Sequence, residues 1–426
     1  MTPLTSPNRR VWALRIILLT VFAFFVCIRM PEIVLKGRFW AEEGKFFFHN
    51  AWVMPPLQAL LEPVGGYLNL VANAATLAAR WLMPLRLAPY LTIAVALVFQ
   101  LMPPLLLLTA RDSWLQEGRI RLCGLLLLLL VPASEEIWLQ TLHSQFELTL
   151  SCAIILTLET DSGRMPLSRR GFGQAGILLL APLCGPGAIV LVPLFFMRAI
   201  LDQSGSRLIQ AFVLSVGSVI QLLLFFHAIP GRGYKLEPVS LLCVFAIRHL
   251  AVPFLGLPQA ETVAGVVRAS LSSGHLPWLA VLLPLLLFVP FSIATLGTRR
   301  TRPAFWLLAA GGFTALASYF GAIGGTIALI DVHFGERYVF VPQALFSLAF
   351  LAFAATGNAK LAGIARVAVL WLIVVGATNF FWTWPLISNG PSWRSEISKW
   401  QSDPTRFIEL WPDGWTMTLE APRTSK

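Results

Sequence analysis

Long apolar runs recur along the chain, and they constrain its fold more than any other feature. The first, "VWALRIILLTVFAFFVCI" (11–28), is near the length needed to cross a hydrocarbon core as helix, roughly 30 Å at about 20 residues. These runs are built of Leu, Val, Ala and Phe without the alternation of period two that a barrel strand needs, so the spanning element is the α-helix. A composition 57% hydrophobic and 12% charged, with a mean hydropathy of +0.73, excludes a soluble globular domain. The first run follows Arg9 and Arg10 as a signal peptide would, but no small-residue cleavage site follows it, so it reads as a retained first helix.

The expected fold is an all-α polytopic membrane protein with about eleven transmembrane helices, interfacial helices in the first outer loop and a small outer C-terminal tail. The candidate spans are 11–29, 88–110, 120–138, 144–160, 172–184, 187–200, 208–229, 278–297, 304–322, 338–356 and 362–382. Residues 1–384 form the membrane-embedded part, with a first outer loop at 30–87, and 385–426 form the tail. With the N-terminus cytoplasmic, the inner segments and their adjoining helix ends hold 16 of the 32 Lys and Arg but only 5 of the 21 Asp and Glu. The whole net charge of +11 then lies on one face, as the positive-inside rule requires, and the C-terminus lies on the other. A nucleic-acid partner would need a basic patch with aromatic platforms on a soluble face, and the charge distribution gives none.

Two apolar stretches are read as lying at the surface of the bilayer rather than crossing it. In "YLNLVANAATLAARWLMPL" (67–85), Arg80 and the Asn69/Asn73 pair favour an interfacial helix, and in 239–255 Arg248 and His249 argue the same way. The short spans 172–184 and 187–200 flank "CGPG" (184–187), which suggests a broken re-entrant hairpin lining a polar cavity. Cys27, Cys123, Cys152, Cys184 and Cys243 fall in or near spans without CxxC spacing, which argues against a disulfide framework or zinc site.

On this topology the unusual polar residues gather on the outer face. They are Glu42 and Glu43, the segment "SEEIWLQTLHSQFEL" (134–148), "GRGYKLEP" (231–238), "DVHFGERY" (331–338) and the tail. Carboxylates there suit base or metal chemistry, and Arg232, Lys235 and Arg337 suit a phosphate, whose oxygens favour guanidinium and ammonium donors. Plainer readings stand beside these. Glu42 and Glu43 can be solvated loop charge, Glu135 and Glu136 can cap a helix, His143 can be a satisfied hydrogen-bonding residue, and Arg337 can pair with Glu336.

The patches "FWAEEGKFF" (39–47), "EPVGGYLNLVANAATLAARWLMPLRLAPYL" (62–91) and "GERYVFVP" (335–342) together resemble the membrane glycosyltransferases of the GT-C superfamily. As architecture the resemblance covers most of the chain, but as motif it rests on these short patches. It implies an enzyme that moves a sugar from a polyprenyl-phosphate carrier to a glycan or lipid acceptor at the extracytoplasmic face, while the compact N-terminus and the lack of glycan-rich lumenal loops favour a bacterial inner membrane. It further implies that one of Glu42 and Glu43 is the general base, Glu42 being slightly ahead by position, and that Arg337 with Tyr338 binds the carrier phosphate. Arg232, Tyr234 and Lys235 would assist, and His143, Gln145 and Glu147, with Glu135 and Glu136, are second-loop candidates matched by location. The family often has an Asp in the acidic pair, and here both are Glu. Members of the superfamily differ in whether they need a divalent cation, and two carboxylates do not decide it.

The tail is expected to form a small cap over the cavity, with "ELWPDGWTMTLE" (409–420) carrying Pro-Asp-Gly turn chemistry. Two other functions compete. An O-antigen-type polymerase or ligase would use an Arg/His site in 230–277, where Arg232, His249 and His275 fall. A flippase or transporter of lipid-linked saccharides would show inverted repeats, broken helices facing each other and charges at mid-bilayer.

Overall fold

The computed structural model describes residues 6–160, 169–227, 237–296, 302–322 and 325–420. Among these, eight helices are long and apolar enough to cross a bilayer: Arg9–Arg29, Leu85–Thr109, Gly205–His227, Pro238–Leu255, Trp278–Leu296, Arg302–Phe320, Glu336–Thr356 and Ala359–Thr378. The pair Arg170–Leu183 and Pro186–Asp202, bent by 118°, makes a ninth if it is one broken span. The chain is therefore a predominantly helical integral membrane protein by the length and composition of its helices.

Burial sorts these helices into centre and periphery. Glu336–Thr356 is the central post, buried along most of its length and packed between Arg302–Phe320 and Ala359–Thr378. Trp278–Leu296 is the reverse, exposing Leu279, Leu286 and Ile293 as a helix facing lipid would.

Three segments depart from the hydropathy reading. The run expected to span 120–138 is helical only over Gly118–Leu129, and that expected over 144–160 only over Ser144–Thr157. At about 1.5 Å per residue these 12- and 14-residue helices fall short of the roughly 30 Å hydrocarbon core. The first stops before Pro132, which has no N–H to donate and pushes Val131 out of helical conformation. Between the two helices, residues 131–143 run as irregular chain with two tight 3-10 turns, Glu135–Ile137 and Thr141–His143, and every residue is buried. Such backbone is stable at depth only because protein surrounds it. At the other end of Ser144–Thr157, Arg198 and Arg207 donate to the carbonyls of Leu156, Ile155 and Leu158, closing the helix C-terminus with positive charge.

The third departure is 239–255, which the sequence placed at the surface because of Arg248. Pro238–Leu255 is one continuous helical run, with a π turn at Ile247–Ala251. The fully buried guanidinium of Arg248 donates to the carbonyls of Leu329 at 2.9 Å and of Asp331, Val332 and Phe334, so its donors are met inside the protein.

The stretch 67–85 holds a 13-residue helix, Leu70–Leu82, too short to cross. Asn69 caps it, its side chain accepting from Ala72 N at 3.2 Å while its amide donates to Leu142 O at 2.9 Å. The tail folds onto this loop region. Its helix Trp393–Ser402 and the strand pair Ile408–Glu409 and Thr416–Met417 share a cluster with Phe39 and Phe48, and Trp393 meets Phe39 edge-on at 4.9 Å. The Pro-Asp-Gly turn forms as its chemistry requires, with Trp415 N donating to Pro412 O at 3.2 Å and Gly414 at a φ of 87°.

Candidate active site

The first outer loop, the buried segment 131–147, the helix break at 184–191 and three spanning helices enclose one cavity of about 580 Å³. Its polar wall carries Glu42, Tyr67, His143, Gln145, Arg337 and Tyr338. The rest is mainly apolar, including Phe47, Phe146, Leu222, Phe225, Phe226 and Phe320. Phe226 and Phe320 are themselves exposed near the ends of Gly205–His227 and Arg302–Phe320, so the apolar wall reaches the lipid-facing surface of the helix bundle.

Glu42 and Glu43 part company. The chain enters a π turn at Glu43–Phe48 from Ala41, which sits at a φ of 23° with its N–H on Trp411 O. Glu42 is half-buried and lines the cavity, close enough to Arg337 to interact electrostatically. Glu43 is fully buried and does not line it. Its carboxylate accepts from Trp40 N at 3.3 Å, from Thr141 N at 2.9 Å and from the Thr141 hydroxyl, tying the first loop to 131–143. Burial pushes this carboxyl above its usual range, while those three donors and Arg38 pull the other way. As placed, Glu43 anchors the first loop to 131–143 and does not face the cavity, whereas Glu42 does.

Glu135 and Glu136 also lie behind the wall rather than on it, and neither caps a helix: they sit in the 3-10 turn Glu135–Ile137. Glu136 pairs with the Arg337 guanidinium, so the partner of Arg337 is Glu136 rather than its neighbour Glu336. Burial acts to raise the Glu136 carboxyl, but Arg337 and His143 outweigh it and hold it below the ordinary value. Glu135 lies 3.7 Å from Arg29, and burial keeps the Glu135 carboxyl high against the pull of that arginine.

His143 lines the cavity with its Nδ1 2.8 Å from Glu136 O. Burial pushes its pKa down to about 4, so the ring is neutral at pH 7. Gln145 donates to the Tyr67 hydroxyl at 3.4 Å and packs against the helix break, where Gly185 takes a φ of 151° and a Cβ would collide with the Gln145 side chain. Glu147 is buried behind the wall, with Oε1 unpartnered, and Arg232, Tyr234 and Lys235 lie outside the described residues. Among the described residues no group of three or more His, Cys, Asp or Glu is placed to hold a metal ion.

Sequence reasoning did not single out Arg29 and Arg38. Arg29 closes the Gly118–Leu129 helix through Leu129 O at 2.8 Å and Val131 O at 3.1 Å. Arg38 donates to Trp138 O at 2.8 Å and lies over the rings of Trp40 and Trp411; burial lowers its pKa to about 9, against the pull of Glu43 and Glu136. The sequence signal for Arg29 is its place at the end of the first apolar span, and Arg38 opens the aromatic patch "RFWAEE" of the first outer loop. No protein-family model matches the chain, and neither does any curated protein or solved structure.

Proposed function

We propose that the protein is a membrane glycosyltransferase of GT-C type, which transfers a sugar from a polyprenyl-phosphate carrier to a glycan or lipid hydroxyl at the extracytoplasmic face of a bacterial inner membrane. The observation that supports this most is the two-sided cavity. A carboxylate and a guanidinium share its polar wall within electrostatic reach, and its apolar wall leads to the ends of two spanning helices. An amphiphile with a charged head and a hydrocarbon chain fits that division.

In this reading Glu42 accepts the proton of the acceptor hydroxyl. The acceptor oxygen forms a bond to the anomeric carbon, the bond from that carbon to the phosphate oxygen breaks, and the phosphate leaves with the electron pair. Attack from the face opposite the leaving group inverts the anomeric centre. Arg337, with Tyr338 beside it, neutralises the charge gathering on the departing phosphate. His143 and Gln145 are left to hydrogen-bond sugar hydroxyls.

The test is release of carrier phosphate from a panel of polyprenyl-phosphate hexoses and pentoses by the purified chain. Glu42→Gln should lower release by about 10²-fold or more, the usual scale for a general base. Release unchanged by that substitution would refute the reading. One observation favours a flippase of lipid-linked saccharides instead: the helix pair broken at Cys184–Gly185 abuts the cavity, and broken helices mark transport sites. A flippase would move the intact carrier across a vesicle wall with no release of phosphate. The polymerase reading has less support, since Arg248 is spent on loop carbonyls and His249 on the Tyr319 hydroxyl, and neither lines the cavity.

A further inference from the structure

Behind the polar wall, one residue holds together segments 200 positions apart. Glu136 makes five polar contacts. Its N–H donates to Glu336 Oε2 at 3.0 Å. Its Oε1 takes Arg337 Nη1, and its Oε2 accepts from Arg337 N at 3.4 Å. Its carbonyl oxygen accepts from His143 Nδ1 at 2.8 Å and from Gln140 Nε2. Glu136 is 6% exposed and does not line the cavity, whereas Arg337 and His143 both do.

We infer that Glu136 is a positioning residue for the proposed transfer, orienting the Arg337 guanidinium through its carboxylate and the His143 ring through its carbonyl oxygen. The inference rests on the reading of the cavity as a site for a phosphate-bearing amphiphile. A guanidinium has five N–H donors in a rigid fork, so fastening Nη1 to a buried carboxylate fixes the plane of the whole fork against the cavity that Arg337 lines. An arginine already held in place gives up less freedom when it binds an anion than one that must be ordered on binding. The carbonyl can only accept, so the proton of the neutral His143 ring is on Nδ1, and Nε2 is left as an acceptor for a donor such as a sugar hydroxyl.

A carboxylate beside an arginine can also act as an internal competitor that an incoming phosphate must displace. The geometry argues against this for Glu136, because its turn is buried and pinned at the N–H, the carbonyl and both carboxylate oxygens.

Binding of farnesyl phosphate and of farnesol to the purified full chain in detergent separates these cases. The wild-type protein is expected to prefer the phosphate, and Arg337→Gln to erase the preference. Glu136→Gln should cut the preference by about tenfold, the scale of one charge-assisted hydrogen bond, with farnesol binding unchanged. In the Arg337→Gln background it should add nothing, because the two side chains act as one unit. An unchanged preference in Glu136→Gln would overturn the inference, as would tighter phosphate binding, which marks a competitor, or a parallel loss of farnesol binding, which marks a structural role. A wild-type chain without preference would sink the phosphate reading itself, and so is distinguishable from failure of the inference alone. If Glu136→Gln does not fold, Glu136→Asp, which keeps the charge but withdraws it by one methylene, should show the same tenfold loss.

Discussion

Replacing each member of the acidic pair by alanine should separate stability from activity. Glu43→Ala removes a buried acceptor of three hydrogen bonds and strands the N–H groups of Trp40 and Thr141 and the Thr141 hydroxyl where water does not reach. A buried donor left unpaired costs about 1–3 kcal/mol, and the three share one carboxylate and do not add, so a loss of about 3–5 kcal/mol is expected, the range for breaking a buried charged contact. Glu42→Ala trims a half-buried side chain at the cavity wall and should cost within about 1 kcal/mol. Thermal unfolding of both variants in one detergent, followed by the surviving monodisperse peak on gel filtration, reads the difference directly. Glu43→Ala should melt well below wild type and Glu42→Ala near it, while Glu42→Ala alone should yield stable protein without the proposed transferase activity. Equal melting points would refute the anchoring role of Glu43 and the division of labour drawn from it.

His143 has its pKa lowered from 6.5 to about 4, so the unfolded chain takes up its proton first as pH falls. Its contribution is complete above about pH 6.5 and lost on the way down to about 4, amounting to about 2 kcal/mol between pH 7 and 5; that drop should appear in wild type relative to His143→Asn, and an identical pH response of the two would refute it. Cys152, Cys184 and Cys243, all fully buried, should resist a thiol reagent in the native protein and react once it is denatured; fast native labelling of Cys152 would contradict the packing of Ser144–Thr157. Gly376→Ala places a methyl group in collision with the Leu130 carbonyl oxygen, so despite the better helix propensity of alanine it should destabilise by about 1–3 kcal/mol in the same melting assay, and a gain in stability would refute the close approach of Ala359–Thr378 to Leu130.

Hydropathy identified the membrane class and most of the long helices because those signals are local. It failed where tertiary partners changed the meaning of a residue. Arg248 reads as a charge that forbids burial, yet four loop carbonyls some 80 residues away absorb it. The segment 120–138 reads as a span on composition, yet Pro132 ends the helix and buried turns replace its outer part. In the site, Glu42, His143, Gln145, Arg337 and Tyr338 were picked out one by one in the sequence, and the fold brings them to one wall. What the sequence could not convey was depth, since Glu43, Glu135 and Glu136 lie one layer behind that wall, and being charged and close in sequence to a cavity residue does not distinguish the layers.

The adjacency of Glu42 and Glu43 is itself explained by helix geometry. Neighbours on an ordinary helical turn point about 100° apart, and the wider π turn that begins at Glu43 keeps neighbours well separated, so a chain edging a cavity sends one side chain outward and the next inward. The like charges that seem wasteful side by side in "WAEEGK" thus meet different surroundings. Glu43 meets three hydrogen-bond donors within the protein, and Glu42 meets the cavity that Arg337 also lines. Holding Glu43 rigidly fixes the backbone from which Glu42 projects, and a proposed base at a membrane surface needs that fixity, because proton transfer requires hydrogen-bond distance. Glu43→Gln should therefore impair transfer without touching the reacting atoms: its amide keeps one acceptor oxygen for Thr141 but turns an NH2 toward Trp40 N–H, loosening the turn. Carrier-phosphate release by Glu43→Gln is expected to fall less than that by Glu42→Gln at low temperature and to fall further as the loop loosens on warming. A fall as deep as that of Glu42→Gln at every temperature would mean that Glu43 itself carries the proton.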